Sequence, residues 1–197
     1  MTDVDTYDDT HDVLMGYDPS LWVALPQGWP FQEHATAQSW VDATLHDIRG
    51  RSASVTRSGL KHLRRVLEHL AQIPREGESH YLFAPTIDEL AGPLRVQYGS
   101  CDGERETMLR RLVLETDLDQ IEPPLLEAFS TPDLGDGWRG VRFAEHEGAL
   151  EAAVVYSFRV EPYDLRVSLH IGPPEQTSTL VPFSDDFVQG ISVVPAE

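Results

Sequence analysis

Apolar residues recur every three or four positions in two stretches of the first half of the chain. Between residues 35 and 48, one helical face carries Ala37, Trp40, Val41, Thr44 and Ile48. Between residues 58 and 73, the repeat is carried by Leu60, Leu63, Leu67 and Leu70. Ser58 can cap this second stretch and Pro74 ends it. The spacing predicts two amphipathic helices, over residues 35–48 and 58–73.

From residue 80 onward the apolar period changes to two, which is typical of strands with one buried face. A short strand over residues 21–25 is followed by strands over residues 81–83, 94–98, 107–115, 138–144, 150–160 and 165–171. Asp102-Gly103 is a hairpin signal ahead of the third of these six. Thr86 with Glu89 has capping-box spacing and predicts one helical turn, and Ser184 can begin a short C-terminal helix.

This order of elements predicts an α+β fold. An antiparallel sheet of about six strands would carry the two N-terminal helices and the short C-terminal helix on one face. In element order the chain resembles the helix-grip domains, and alternatively it resembles the antiparallel sandwich of the Mog1/PsbP-like proteins. Either resemblance implies a fold and assigns no functional residue.

Charge is distributed unevenly along the chain. Acidic residues outnumber basic ones 33 to 15, which gives a net charge of −18. Residues 1–48 carry −9, residues 49–75 carry +6 and residues 76–197 carry −15. We expect residues 1–20, with six aspartates and few apolar side chains, to form a mobile acidic arm ahead of a single domain over residues 21–197. The net charge disfavours bulk binding of nucleic acid or of an anionic membrane.

Motifs for catalysis, cofactors and metals fail in their context. The segment 135–140 matches G-x-G-x-x-G but precedes a predicted strand, and His146-Glu147 lies in a predicted turn without a second histidine four residues on. Cys101 is the only cysteine, and His62 and His69 are about 10 Å apart along one helix. We therefore expect no cofactor or metal, leave enzymatic activity open, and favour a non-enzymatic protein.

Processing signals are also missing from the first residues. The first basic residue is Arg49, no apolar leader precedes it, and no apolar run approaches the roughly 20 residues needed to span a bilayer. These features predict a cytoplasmic protein.

Two sets of polar residues are candidate binding sites. The first is a basic stripe on the second predicted helix, formed by Arg57, Lys61, Arg64 and Arg65. It can be a solvated face, a partner for the chain's own acidic arm, or a docking site for an acidic partner or phosphate group. The second set lies on the polar face of the predicted sheet, where an anionic ligand would meet Arg95, Arg159, Arg166 and His170.

Three functions follow from these observations. The first, which we favour, is a non-enzymatic interaction module (an adaptor, chaperone or immunity-type protein) that binds an unidentified protein partner through charged surfaces. The second is a small-ligand-binding or enzymatic domain with a pocket between sheet and helices. The third is a structural subunit of a larger assembly, suggested by four tryptophans and the apolar segment 191–194.

Overall fold

The computed structural model describes residues 11–73, 75, 77–115, 119–146 and 148–196. These residues group into two compact units. Residues 18–95 form the first, which we call the helix-pair unit. The described residues of 1–17 and 96–197 form the second, which we call the main-sheet unit. Whether residues 21–197 fold as a single domain stays a prediction.

The helix-pair unit contains both predicted helices. Its elements are β2 (Trp22–Leu25), α1 (Ala37–Arg51), α2 (Arg57–Leu70), β3 (Ser79–Thr86) and the first part of β4 (Glu89–Ser100). Strand β3 is hydrogen-bonded to β2 and to β4. The apolar faces predicted from the spacing supply the core, and Trp40, Leu63 and Leu67 are each at most 2% exposed. Helix α2 is capped by Thr56 rather than Ser58, because the Thr56 hydroxyl accepts a 3.0 Å hydrogen bond from the Gly59 N–H.

The main-sheet unit is built on long antiparallel strands. It contains β1 (His11–Met15), the end of β4, α3 (Arg105–Leu114), β5 (Asp119–Gln120), β6 (Leu125–Thr131), β7 (Gly135–His146), β8 (Ala149–Val160), β9 (Tyr163–Gly172), α4 (Thr177–Gln189) and β10 (Ile191–Pro195). The strand order is β4-β9-β8-β7, and β7 also pairs with β5 and β6. The predicted α+β class with an antiparallel sheet is confirmed.

Helices cover both faces of this sheet. The Ser157 hydroxyl of β8 donates to the Leu109 carbonyl of α3, whereas the neighbouring Tyr156 hydroxyl bonds to Ser184 of α4. Successive residues of a strand point to opposite faces, so α3 and α4 lie on opposite sides of β8. Helix α4 begins at Thr177, well before the predicted Ser184, which is fully buried within the helix.

The strand predicted over residues 107–115 is wrong, because this segment is helix α3. The Glu104 side chain caps the helix by accepting hydrogen bonds from the N–H groups of Glu106 (3.0 Å) and Thr107 (2.8 Å). Met108, Leu109 and Val113 are buried on one helical face. The Asp102-Gly103 pair therefore starts a connection to a helix instead of a hairpin.

The helical turn predicted at residues 86–89 is also absent. The Thr86 hydroxyl does bond to Glu89 at 3.0 Å, but in the turn between β3 and β4 rather than in a helix.

The prediction of a mobile arm is also wrong for the second half of that segment. Residues 11–15 form β1, which pairs antiparallel with β10 from His11 opposite Pro195 to Met15 opposite Ile191. The pair is closed by a 2.7 Å hydrogen bond from the Gly16 N–H to the Gly190 carbonyl. Position 190 must be glycine there, since a Cβ on Gly190 would lie 1.9 Å from the Gly16 carbonyl oxygen. Residues 1–10 of the predicted arm lie outside the described residues.

Candidate functional site

Three of the four predicted stripe residues form a row of exposed cations on α2. Arg57, Lys61 and Arg65 are each separated by four residues, a rise of about 6 Å per step, and all three side chains are exposed. None of them makes an ion pair within the part of the chain that the structure describes. We call Arg57, Lys61 and Arg65 the α2 row. It stands opposite the buried leucines, as the helical spacing predicts.

Arg64, the fourth predicted member, is bound within the helix-pair unit. Its guanidinium lies 2.8 Å from the Asp42 carboxylate of α1 and 3.8 Å from that of Glu68. Hydrogen bonds from Gln38 and from Arg64 lower the pKa of Asp42. Arg64 therefore links α1 to α2 and does not extend the free positive charge of the α2 row.

The predicted ligand arginines are likewise bound to the protein itself. Arg95 holds Glu78 with both ends of its guanidinium, at 2.8 to 3.2 Å. His170 is half-exposed, and its Nε2 lies 3.7 Å from the Glu151 carboxylate. Neither side chain stands ready for an anionic ligand.

Arg159 and Arg166 lie on adjacent strands and face the same side of the sheet. Arg159 is paired with Asp164 at 2.6 and 2.7 Å and donates to the Asp102 and Gly103 carbonyls. Arg166 donates to Gln97 and to the Leu112 and Glu115 carbonyls at the end of α3. Helix α3 lies over this side of the sheet, where its Leu109 and Leu112 carbonyls accept hydrogen bonds from Ser157 and Arg166.

A cavity of about 360 Å³ lies between the end of β4, β9 and α3. Of the predicted ligand residues, Arg166 is the one that lines it. Two charged residues of α3 and its C-terminal cap, Arg111 and Glu115, also line the cavity, together with Asp102. Sequence analysis missed both because it assigned their segment to a strand. The helical spacing of Met108, Leu112 and Glu115 was the signal that could have found them.

The described residues form no metal-binding cluster, and the one cysteine of the sequence is not activated. Among residues 11–73, 75, 77–115, 119–146 and 148–196, no group of three or more histidine, cysteine, aspartate or glutamate side chains is arranged to hold a metal ion. Burial and the nearby Asp164 carboxylate raise the pKa of the Cys101 thiol to about 11. The thiol is therefore protonated at neutral pH and is a poor nucleophile.

No helix in the described part of the chain is long and apolar enough to cross a membrane. The cytoplasmic location expected from the sequence stays a prediction.

Comparison with known proteins bears on the fold. The sequence matches no protein-family model and no curated protein. Among solved structures, the chain is similar to LpqN, which is involved in cell envelope biogenesis of Mycobacterium tuberculosis. The sequence identity is 9% and the TM-score is 0.53, over 96% of this chain and 87% of that chain. This likeness shows the fold alone.

Two further structures score lower. A protein from Bacteroides thetaiotaomicron has 11% identity and a TM-score of 0.39, over 62% of this chain and 40% of that chain. The Ran-binding protein Mog1p of Saccharomyces cerevisiae has 8% identity and a TM-score of 0.38, over 64% of this chain and 82% of that chain. Mog1p is of the type that the element order suggested as an analogy, but scores this low carry no argument. The chain is thus an α+β protein with an antiparallel sheet, similar in fold to LpqN.

Proposed function

We propose that the protein is a non-enzymatic interaction module that docks an acidic segment of a partner protein on the α2 row. The observation that carries this proposal is a contrast among the basic residues. Arg64, Arg95, Arg159 and Arg166 are bound to acidic or carbonyl groups of their own unit. The α2 row keeps three exposed positive charges on one helical face.

The surrounding charge restricts which partner fits. With a net charge of −18, the protein repels an acidic protein at long range, and the α2 row attracts it only locally. The partner surface that fits is therefore an acidic strip flanked by basic residues. The acidic strip would contact the α2 row, and the acidic remainder of this protein's surface would attract the flanking basic residues. Such complementarity governs association rate and partner choice more than affinity, and salt weakens it.

A matched pair of charge reversals tests the proposal. Lys61 and Arg49 are both exposed residues on helices of the helix-pair unit, but only Lys61 belongs to the α2 row. We expect Lys61→Glu to weaken binding of a captured partner severalfold and reversal of the whole α2 row to weaken it about tenfold or more, whereas Arg49→Glu leaves it unchanged.

The measurement is capture from native lysate at low and high salt, followed by titration of the purified partner against each variant. Equal affinities of the Lys61→Glu and Arg49→Glu proteins would contradict the proposal. So would binding that does not weaken as salt is raised. The remaining alternative is that the chain's own acidic arm occupies the α2 row. A variant lacking residues 1–10 tests it, because removal of a competing arm would raise the affinity for the partner.

A further inference from the structure

Two of the predicted ligand residues, Arg159 and Arg166, hold the walls of the cavity beside α3. Arg159 bonds to the Asp102 and Gly103 carbonyls at 2.7 and 3.0 Å, which holds the turn that follows β4. Arg166 bonds to the Leu112 and Glu115 carbonyls at 2.8 and 3.2 Å, which holds the last turn of α3. Each arginine therefore positions one wall, and the space of about 360 Å³ between the walls is preformed.

The charges left on the cavity are of both signs. Asp164 is neutralised by Arg159 and also accepts a 3.3 Å hydrogen bond from the Asp102 N–H. Asp102, Arg111 and Glu115 line the cavity with exposed side chains, and none makes an ion pair with any described residue. The cavity thus offers one unpaired guanidinium and two unpaired carboxylates.

The remaining lining is mixed, with an apolar and aromatic part beside Gln97, Gly99 and Ser100. Tyr98, Met108 and Leu112 line the cavity, and Met108 is buried. The Tyr98 ring lies 5.5 Å from that of Tyr163, which fixes its position. Small-molecule sites have volumes of roughly 300–1,000 Å³, and this cavity lies at the lower end of that range. It therefore accommodates a compact ligand with an apolar body.

We infer that this cavity binds a small zwitterion that carries an ammonium group, a carboxylate and an apolar body, of the kind found in an aromatic or large aliphatic α-amino acid. A purely anionic ligand would meet two unpaired carboxylates and a net charge of −18. A purely cationic ligand would leave Arg111 unpaired. A zwitterion places its carboxylate at Arg111, its ammonium group at Glu115, which follows four residues later on the same helical face, and its body on Tyr98, Met108 and Leu112.

Three related probes test this assignment on the full chain by NMR titration of backbone amides. L-phenylalanine carries both charges, 3-phenylpropionate lacks the ammonium group and 2-phenylethylamine lacks the carboxylate. We expect L-phenylalanine to shift amides of residues 98–102 and 108–115 with a dissociation constant on the order of 1 mM. Each single-charge analogue should bind about threefold to fivefold more weakly.

A matched pair of variants locates the carboxylate contact. Arg111→Gln should weaken L-phenylalanine about threefold to fivefold and leave 2-phenylethylamine unchanged, whereas Arg49→Gln should change neither. Both positions are exposed on helices, so neither substitution threatens the fold. Equal affinity for all three probes, shifts outside this cavity, or no shifts at the solubility limit of L-phenylalanine would overturn the inference. It does not depend on the α2 row, so either proposal can fail alone.

Discussion

Replacing Leu109 with alanine should lower the free energy of unfolding by about 3 kcal/mol. Leu109 is fully buried on the face of α3 that lies against the sheet, and its carbonyl accepts the 2.8 Å hydrogen bond from the Ser157 hydroxyl. Truncation removes apolar contacts and leaves a cavity, and such changes cost about 2–5 kcal/mol. For a chain of this size, the expected fall in Tm is about 6–12 °C. Chemical denaturation and thermal melting both measure it.

Leu114→Ala is the control for this prediction. Leu114 closes the same helix but is 41% exposed, so its truncation should cost well under 1 kcal/mol. Similar losses for the two variants would contradict the packing of α3.

The second large effect concerns His80, a buried histidine in β3. It is 8% exposed, and its Nε2 lies 3.3 Å from the Glu78 carboxylate. Burial lowers the pKa of His80 to about 4, and the positive charge of Arg75 adds to this effect. Glu78 opposes the shift, but Arg95 occupies the same carboxylate and reduces its influence. His80 is therefore neutral in the folded protein at pH 7.

Acidification from pH 7 to pH 4 should cost the protein about 3 kcal/mol through His80 alone. The unfolded chain takes up a proton near the ordinary value of 6.5, whereas the folded chain takes it up only near pH 4. Between these values the unfolded state binds more protons, so stability falls by about 1.4 kcal/mol per pH unit. Stability is thus retained above pH 6.5 and lost as the pH falls toward 4.

The measurement compares unfolding of the natural chain with that of His80→Gln at both pH values. The difference in free energy of unfolding between the two proteins should change by about 3 kcal/mol from pH 7 to pH 4. His69→Gln, at an exposed position of α2, is the control and should show little such change. A His80→Gln protein with the same pH dependence as the natural chain would contradict a buried neutral imidazole.

The regular parts of the fold were predictable because their residue pattern and their burial agree. Leu63 and Leu67 recur at helical spacing and are completely buried in α2, and the alternation in residues 165–171 matches β9. Strand β6 was missed, since residues 125–131 are mostly exposed and an edge strand needs no strict alternation. Helix α3 was missed because its ten residues mix arginines with apolar side chains in an order that fits both the helical and the strand period. Its capping residue, Glu104, was also not recognised.

The two candidate sites also differ in how far the sequence alone predicts them. The α2 row depends on a single helix, so helical geometry alone places Arg57, Lys61 and Arg65 on one face. The cavity depends on contacts between segments distant in sequence, such as Arg159 with the turn after β4 and Arg166 with the end of α3. No local pattern records that a side chain is already bound by a carbonyl more than 50 residues away.

By itself, the sequence determined the α+β class, the two N-terminal helices and the reversal of charge along the chain, because these follow from local periodicity and composition. Only the tertiary structure decided which charges are free. Tertiary contacts made Arg64, Arg159 and Arg166 internal partners, since Asp42, Asp164 and the Leu112 carbonyl lie within hydrogen-bond distance of their guanidinium groups. Packing within each unit left the α2 row exposed and placed α3 over the sheet face that carries Ser157 and Arg166.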